Sequence, residues 1–163
     1  MNKYFNNDSV QYKCVIKSDN SLISLQIVSI EGKEFISRPY EFTVQGLSDE
    51  DINLDDLENT SVMLTIAVAS QVRSINGVLA SFSQVDMISQ QDRTGDLVAD
   101  KYLYQLSVVP KLSLLKLYHD TDFFMKQNVI DIIKQVMEFA NISPDYYSFK
   151  LEAKHYPIHN FVV

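Results

Sequence analysis

Residues 101 to 110 read Lys101-Tyr102-Leu103-Tyr104-Gln105-Leu106-Ser107-Val108-Val109-Pro110. Tyr102, Tyr104, Leu106 and Val108 recur every second position, which on an extended chain places all four on one face and predicts a half-buried strand. Pro110 has no N–H for a ladder and a φ preset for helix, so the strand is expected to stop there. Lys111 to Lys116, with Leu112, Leu114 and Leu115, reads as a short helical or turn-like continuation. Downstream, Asn128 stands where an N-cap belongs and Asp131 at the third helical position, facing the positive end of the dipole. Val129, Ile132, Ile133, Val136, Met137 and Ala140 then follow at spacings of three and four, one apolar stripe of an amphipathic helix over about 128–140. The stripe is expected to pack on a sheet, with a partner-binding groove as the other reading. Asn141 suits a left-handed cap, and Pro144 prevents the helix from resuming.

The rest of the chain is written mostly in period two. Tyr12, Cys14 and Ile16 alternate in Gln11 to Lys17, and Ile23, Leu25 and Ile27 in Leu22 to Ile30. The polar turn Ser18 to Ser21 between them, with Asp19 and Asn20, predicts a hairpin. Glu31 to Tyr40 is polar except for Phe35 and Ile36, and Pro39 holds the preceding residue extended. Tyr40, Phe42 and Val44 then start a third strand ending at Gly46. Val62, Leu64, Ile66 and Val68 give a fourth. The run from Val72 to Ile88 is long for one strand, and Gly77 within it predicts a bulge or a bend where two backbones approach closely, as a curved sheet or barrel wall requires. Ser89 to Asp100 joins this strand antiparallel to the Tyr102 strand. Tyr147, Phe149 and Leu151 alternate once more in the tail, which ends on Phe161, Val162 and Val163 as if cut inside a strand. The expectation is an α+β, mainly β chain with an antiparallel, curved or barrel-like sheet and one main helix. Residues 1–110 form the barrel-like part and 111–163 the helix and the start of a further subdomain.

A chain of 163 residues with 46% apolar and 21% charged residues can build a core. A net charge of −7, with 14 Lys and Arg, lacks the concentrated cations that phosphate contacts need, which argues against nucleic acid and anionic membrane as partners. The single cysteine, Cys14, rules out an internal disulfide and reads as a buried thiol between Tyr12 and Ile16. Met1 to Asp8 lacks the apolar core of a signal peptide, and no apolar run is long enough to span a membrane.

Chemistry leaves few marks. Ser48 to Glu58 collects Asp49, Glu50, Asp51, Asp55, Asp56 and Glu58, but the calcium-loop pattern lacks its turn glycine and final glutamate, so the segment reads as a solvated acidic corner over Ile52, Leu54 and Leu57. His155 and His159 have the spacing of stacked helical ligands, yet Pro157 separates them and the HExxH glutamate is missing. His119 beside Asp120 and Asp122 reads as a surface ion pair. No phosphate loop, GxSxG turn or CxxC pair is present. These readings leave no metal or cofactor and no catalytic residue to name. One enzymatic alternative stands: a small hydrolase using spatially adjacent carboxylates such as Asp120 and Asp122.

Three segments together resemble a known family. They are Ser24-Leu25-Gln26-Ile27 with Glu31-Gly32-Lys33-Glu34-Phe35-Ile36-Ser37-Arg38-Pro39-Tyr40-Glu41-Phe42; Asn76-Gly77-Val78 with Phe82; and the run from Tyr102 through Pro110, Leu112, Leu114, Leu115, Asp120 and Phe124 to Val129-Ile130-Asp131-Ile132-Ile133. They resemble the opening of VgrG proteins, the spike-hub components of bacterial type VI secretion, with Gly32, Glu34, Ser37, Pro39, Tyr40, Gly77 and Pro110 as structural signature positions. The family's Trp near Lys111 or Ser113 is absent. The resemblance implies a non-enzymatic, phage-hub-type sheet that trimerises in the full-length protein. It also implies docking on a hexameric Hcp-like tube, partnership with baseplate and effector proteins, and assembly in the bacterial cytoplasm before export into a target cell or the medium. It places the remaining hub, neck and spike after Val163. A phage-tail hub, or that of another contractile machine, is the alternative within the same architecture.

Overall fold

A computed structural model describes residues 10–18, 22–53, 57, 60–91, 97–117, 121–152 and 154–162. The chain divides into two compact units, Met1–Pro110 and Lys111–Val163.

In the first unit the strands are β1 (Val10–Lys17), β2 (Leu22–Lys33), β3 (Glu41–Ser48), β4 (Ser61–Val68), β5 (Gln71–Gln91) and β6 (Leu97–Val109). They pair antiparallel in the order β1-β2-β3-β6-β5-β4, and β4 returns to β1 over Val10–Lys17, so the sheet closes into a barrel. Period two decides what fills it. Cys14 and Ile16, Leu25, Phe42 and Val44, Val62 and Leu64, Ile75, and Tyr104, Leu106 and Val108 point inward and are buried. A six-stranded barrel has room for side chains and little else, so its interior is a packed core. Each fully buried Leu, Ile or Val there contributes about 1.5–3 kcal/mol.

One end is sealed by the segment after β3. Ile52 and Leu57 join the core. The Ile52 amide donates to Tyr104 Oη at 2.8 Å, and that hydroxyl donates to Asp51 Oδ1 at 2.9 Å. The acidic corner is thus anchored from beneath, as its apolar residues predict, with Asp49 and Glu50 exposed. Leu54, Asp55, Asp56 and Glu58 lie outside the described residues.

The bend in the long strand falls elsewhere than the sequence suggests. Gly77 sits in register opposite Val62, and the β5–β6 ladder slips instead between Leu79 and Ser81 and between Gln84 and Asp86. Gly77 marks the close backbone approach, and the bulges at Ala80 and Val85 supply the curvature. Nothing in side-chain type marks Ala80 or Val85, because a bulge is set by the register of both neighbours.

In the second unit a 3-10 segment, Lys111–Leu117, follows Pro110. The helix α1 spans Val129–Phe139. Asn128 Oδ1 accepts from the Ile130 and Asp131 amides, both at 3.0 Å, and Asn141 has φ 53° at the other end, as the cap residues predict. The stripe is less covered than expected: Ala140 is buried, but Val129 and Ile133 are exposed. A unit of this size has little apolar surface with which to cover them. The tail also departs from expectation. Pro144–Tyr146 is a 3-10 turn, 147–151 is not a strand, and the alternating Tyr147 and Phe149 meet edge to face at 5.5 Å. Alternation makes a strand only where a neighbouring ladder accepts it. Pairing comes later, where β7 (Gln127–Asn128) meets β8 (Ile158–His159) and Phe124 bridges Val162.

Candidate functional site

Four of the signature positions, Gly32, Glu34, Tyr40 and Gly77, come together over one flank of the barrel. Gly32, near the end of β2, lies opposite Phe42 of β3. A Cβ at Gly32 would stand 2.1 Å from Phe42 Cε1, so the ring lies where any other side chain would begin. The same ring meets Tyr40 edge to face at 5.6 Å. Tyr40 reaches across to β5, where its hydroxyl donates to the Asn76 carbonyl. Gly77 follows immediately. A Cβ there would meet Val109 O at 2.5 Å, Val108 Cγ1 at 2.8 Å and Tyr40 Oη at 3.0 Å.

Glu34, just past β2, pairs with Arg73 of β5. Burial first, and then the nearby Glu34 carboxylate, raises the Tyr40 pKa. The hydrogen bond that Arg73 donates to the Glu34 carboxylate raises the Arg73 pKa. The ion pair faces solvent and so fixes the path of the chain more than it stabilises the fold. Segment 34–40 is therefore tied to β5 twice, by Glu34 to Arg73 and by Tyr40 to Asn76. Arg38 lies over the Phe35 ring at 5.4 Å. Ser37 is exposed in the bend, and Pro39 leads directly into Tyr40. Pro110 follows Val109, whose carbonyl crowds Gly77, and ends the unit. Gly32, Glu34, Tyr40 and Gly77 thus form one brace, Pro110 flanks it, and Ser37 is exposed outside it. Reading the sequence missed Arg73, an exposed cation on β5 with no local signal for its partner.

A second feature is the outer edge of β5. Pairing with β4 runs from Gln71 to Val78 and ends with the Leu79 amide donating to Thr60 O at 3.1 Å. From Ala80 to Gln91 the strand pairs with β6 alone among the described residues. Val85, Met87 and Ile88 on this ribbon are all close to half exposed.

Reactive chemistry is sparse. Burial pushes the Cys14 thiol up to about 12, so it stays protonated and unreactive at neutral pH. Among the described residues no three of His, Cys, Asp and Glu converge as a metal site. His159 lies in β8, and His155 lies in the irregular tail. His119 and Asp120 lie outside the described residues, so the carboxylate pair with Asp122 is not described either. A cavity of about 450 Å³ at the sealed end is lined by Leu22, Ile23, Ser24 and residues 48–53. Its Asp49 is paired with Lys101 at 3.3 Å and its Asp51 with Tyr104.

The first unit is thus a closed antiparallel barrel with a brace across one flank and a β5–β6 ribbon whose β5 edge has no second partner among the described residues. The pattern of the phage tail baseplate hub (GPD) family matches residues 33–163, and the chain belongs to that family. It is 29% identical over 147 residues to the type VI secretion system spike protein VgrG5 of Pseudomonas aeruginosa, which covers 90% of this chain and 17% of that protein. It is 32% identical over 122 residues to VgrG1b of the same organism, covering 73% of this chain and 15% of the relative. The chain thus spans about a sixth of the length of the curated relatives it matches. In fold it is similar to the E. coli c3393 protein, a type VI secretion component itself similar to T4 bacteriophage tail proteins gp27 and gp5. The TM-score is 0.64 at 16% identity, covering 90% of this chain and 38% of that one.

Proposed function

We propose that this chain is the tube-facing hub region of a type VI secretion spike, a structural element that trimerises and docks onto a hexameric tube for contractile delivery of effectors. The observation that carries the reading is the family match over 33–163, beside the similarity to type VI spike proteins along most of this chain. In this reading residues 1–110 are the first hub barrel and 111–163 begin the next hub subdomain. Gly32, Glu34, Ser37, Pro39, Tyr40, Gly77 and Pro110 then serve as structural positions that hold the barrel flank in shape for neighbours. The work is done by surface complementarity without chemistry, since a hub must present rigid faces to a ring of repeating subunits. Baseplate and effector proteins are its further partners. The protein assembles in the bacterial cytoplasm and leaves through the machine it belongs to.

The test is genetic and biochemical. In the source bacterium, deleting the gene is expected to abolish release of the hexameric tube protein, and the tagged protein is expected to copurify with that tube protein. Normal tube release together with no copurification overturns the assignment. Copurification with a phage tail tube instead moves the same architecture to a phage tail, the second setting that the family description favours.

A further inference from the structure

One end of the barrel is sealed by Ile52 and Leu57. At the other end, where β1 begins, the inward face runs out to solvent. Period two carries that face along β1 from Ile16 and Cys14 to Tyr12 and Val10, and along β4 from Val62 and Leu64 to Ile66 and Val68. The end residues lie opposite one another in the ladder, Tyr12 beside Ile66 and Val10 beside Val68. Cys14, Ile16, Val62 and Leu64 are buried and Ile66 is half-buried, but Val10, Tyr12 and Val68 are each more than two-fifths exposed.

The wall opens at the same end. β1 pairs with β2 only from Cys14 and Leu25 to Lys17 and Leu22. Among the described residues Val10–Lys13 pairs with β4 alone, and β2 from Gln26 onward pairs with β3 alone. Both one-sided edges border one seam, because β1 and β2 are neighbours in the closed order. The seam is a wedge that narrows at Cys14 and Leu25 and is widest beside Val10. Exposed apolar side chains at a rim and unpaired N–H and C=O groups along a seam are both features that proteins cover.

Continuity of the chain selects the occupant. Met1–Ser9 joins the wall at Val10, on the rim itself. Apart from Met1, its apolar residues are one adjacent pair, Tyr4 and Phe5. Asn6-Asn7-Asp8-Ser9 follows, a run of turn formers that lets the chain reverse before β1. From Val10 back to Phe5 the chain can reach roughly 16 Å, about three strand spacings. Lys3 and Asp8 cancel in charge, so the segment meets this surface without the repulsion that a second copy of net charge −7 would bring. Covalent attachment also gives it an effective concentration of order millimolar, which a separate chain must match in bulk.

We infer that Met1–Ser9 folds back over the open end of its own barrel, with Tyr4 and Phe5 seated on Val10, Tyr12 and Val68 at the head of the β1–β2 seam. Burial of the two rings supplies the attraction. Nothing in this depends on what the barrel docks onto.

The experiment uses the 163-residue chain, isotope-labelled, in solution. Nuclear Overhauser contacts are expected between the Tyr4 or Phe5 ring and the methyl groups of Ile66 or Val68, residues that no local chain geometry brings near. Tyr4→Ser combined with Phe5→Ser is expected to remove these contacts. It is also expected to speed amide hydrogen exchange over 10–13 and 26–33 about tenfold, leaving exchange in the β3–β6 ladder unchanged. Absence of the contacts in the unaltered protein, or wild-type exchange rates in the doubly substituted one, overturns the inference. Contacts that prove intermolecular in a mixture of labelled and unlabelled protein overturn it as well, since a second copy then covers the rim.

Discussion

Replacing Gly77 with Ala tests whether the barrel wall is held by backbone contact at the brace. The added Cβ would lie 2.5 Å from the Val109 carbonyl oxygen. Carbon–oxygen contacts between strands settle near 3.3–3.6 Å, so the two strands must part by roughly 0.8–1.1 Å. Parting them strains the β5–β6 ladder beside Val78 and Val109, and the Tyr40 hydroxyl, 3.0 Å from the same Cβ, must release Asn76. Overpacking costs about 1–3 kcal/mol and each of the two weakened hydrogen bonds about 0.5–1.5 kcal/mol, so a total loss of about 2–6 kcal/mol is expected. That is a large part of an ordinary domain's stability. The assay is urea unfolding followed by the tyrosine near-ultraviolet signal, since the chain has no tryptophan. Tyr40→Phe, which removes the hydroxyl but leaves Val109 in place, is expected not to rescue Gly77→Ala. Gly32→Ala provides the contrast, because the atom in its way belongs to the Phe42 side chain, and Phe42→Leu is expected to recover part of its loss. A Gly77→Ala protein within about 0.5 kcal/mol of wild type refutes the backbone-contact argument.

Two further outcomes follow from buried groups. The Cys14 thiol has a folded pKa of about 12 against an ordinary 9.0, so the native state holds its proton after the unfolded chain has lost it. Its contribution is complete below pH 9 and is lost as pH rises from there toward 12, at up to about 1.4 kcal/mol per pH unit. Cys14→Ala is expected to flatten the stability profile just above pH 9, leaving the later loss from Tyr104 and Tyr40, both raised chiefly by burial; equal slopes in the two proteins refute it. Tyr104→Phe leaves the Ile52 amide without its acceptor and is expected to cost about 1–3 kcal/mol. It should also speed hydrogen exchange at Ile52 selectively, and unchanged protection there means the seal does not depend on this bond.

The inward residues of five strands, the Asn128 cap, the left-handed Asn141 and the stop at Pro110 were all legible, because each depends on its own chain neighbours or on period two. The brace was half legible: Gly32, Tyr40 and Gly77 stood out as residue types, but nothing near Arg73 in sequence says that Glu34, 39 positions earlier, would meet it. The alternating Tyr147, Phe149 and Leu151 showed the reverse error, a strand pattern without a strand. By itself, the sequence determined which face of those five strands is apolar and where α1 and β6 end, since these follow from side-chain type and local backbone geometry. Only the tertiary structure decided that β4 returns to β1, that the bulges fall at Ala80 and Val85, and that one edge of β5 beyond Leu79 has no partner among the described residues. Closure, register and free edges are properties of pairs of strands, and a pair exists only once the chain has brought its distant parts together.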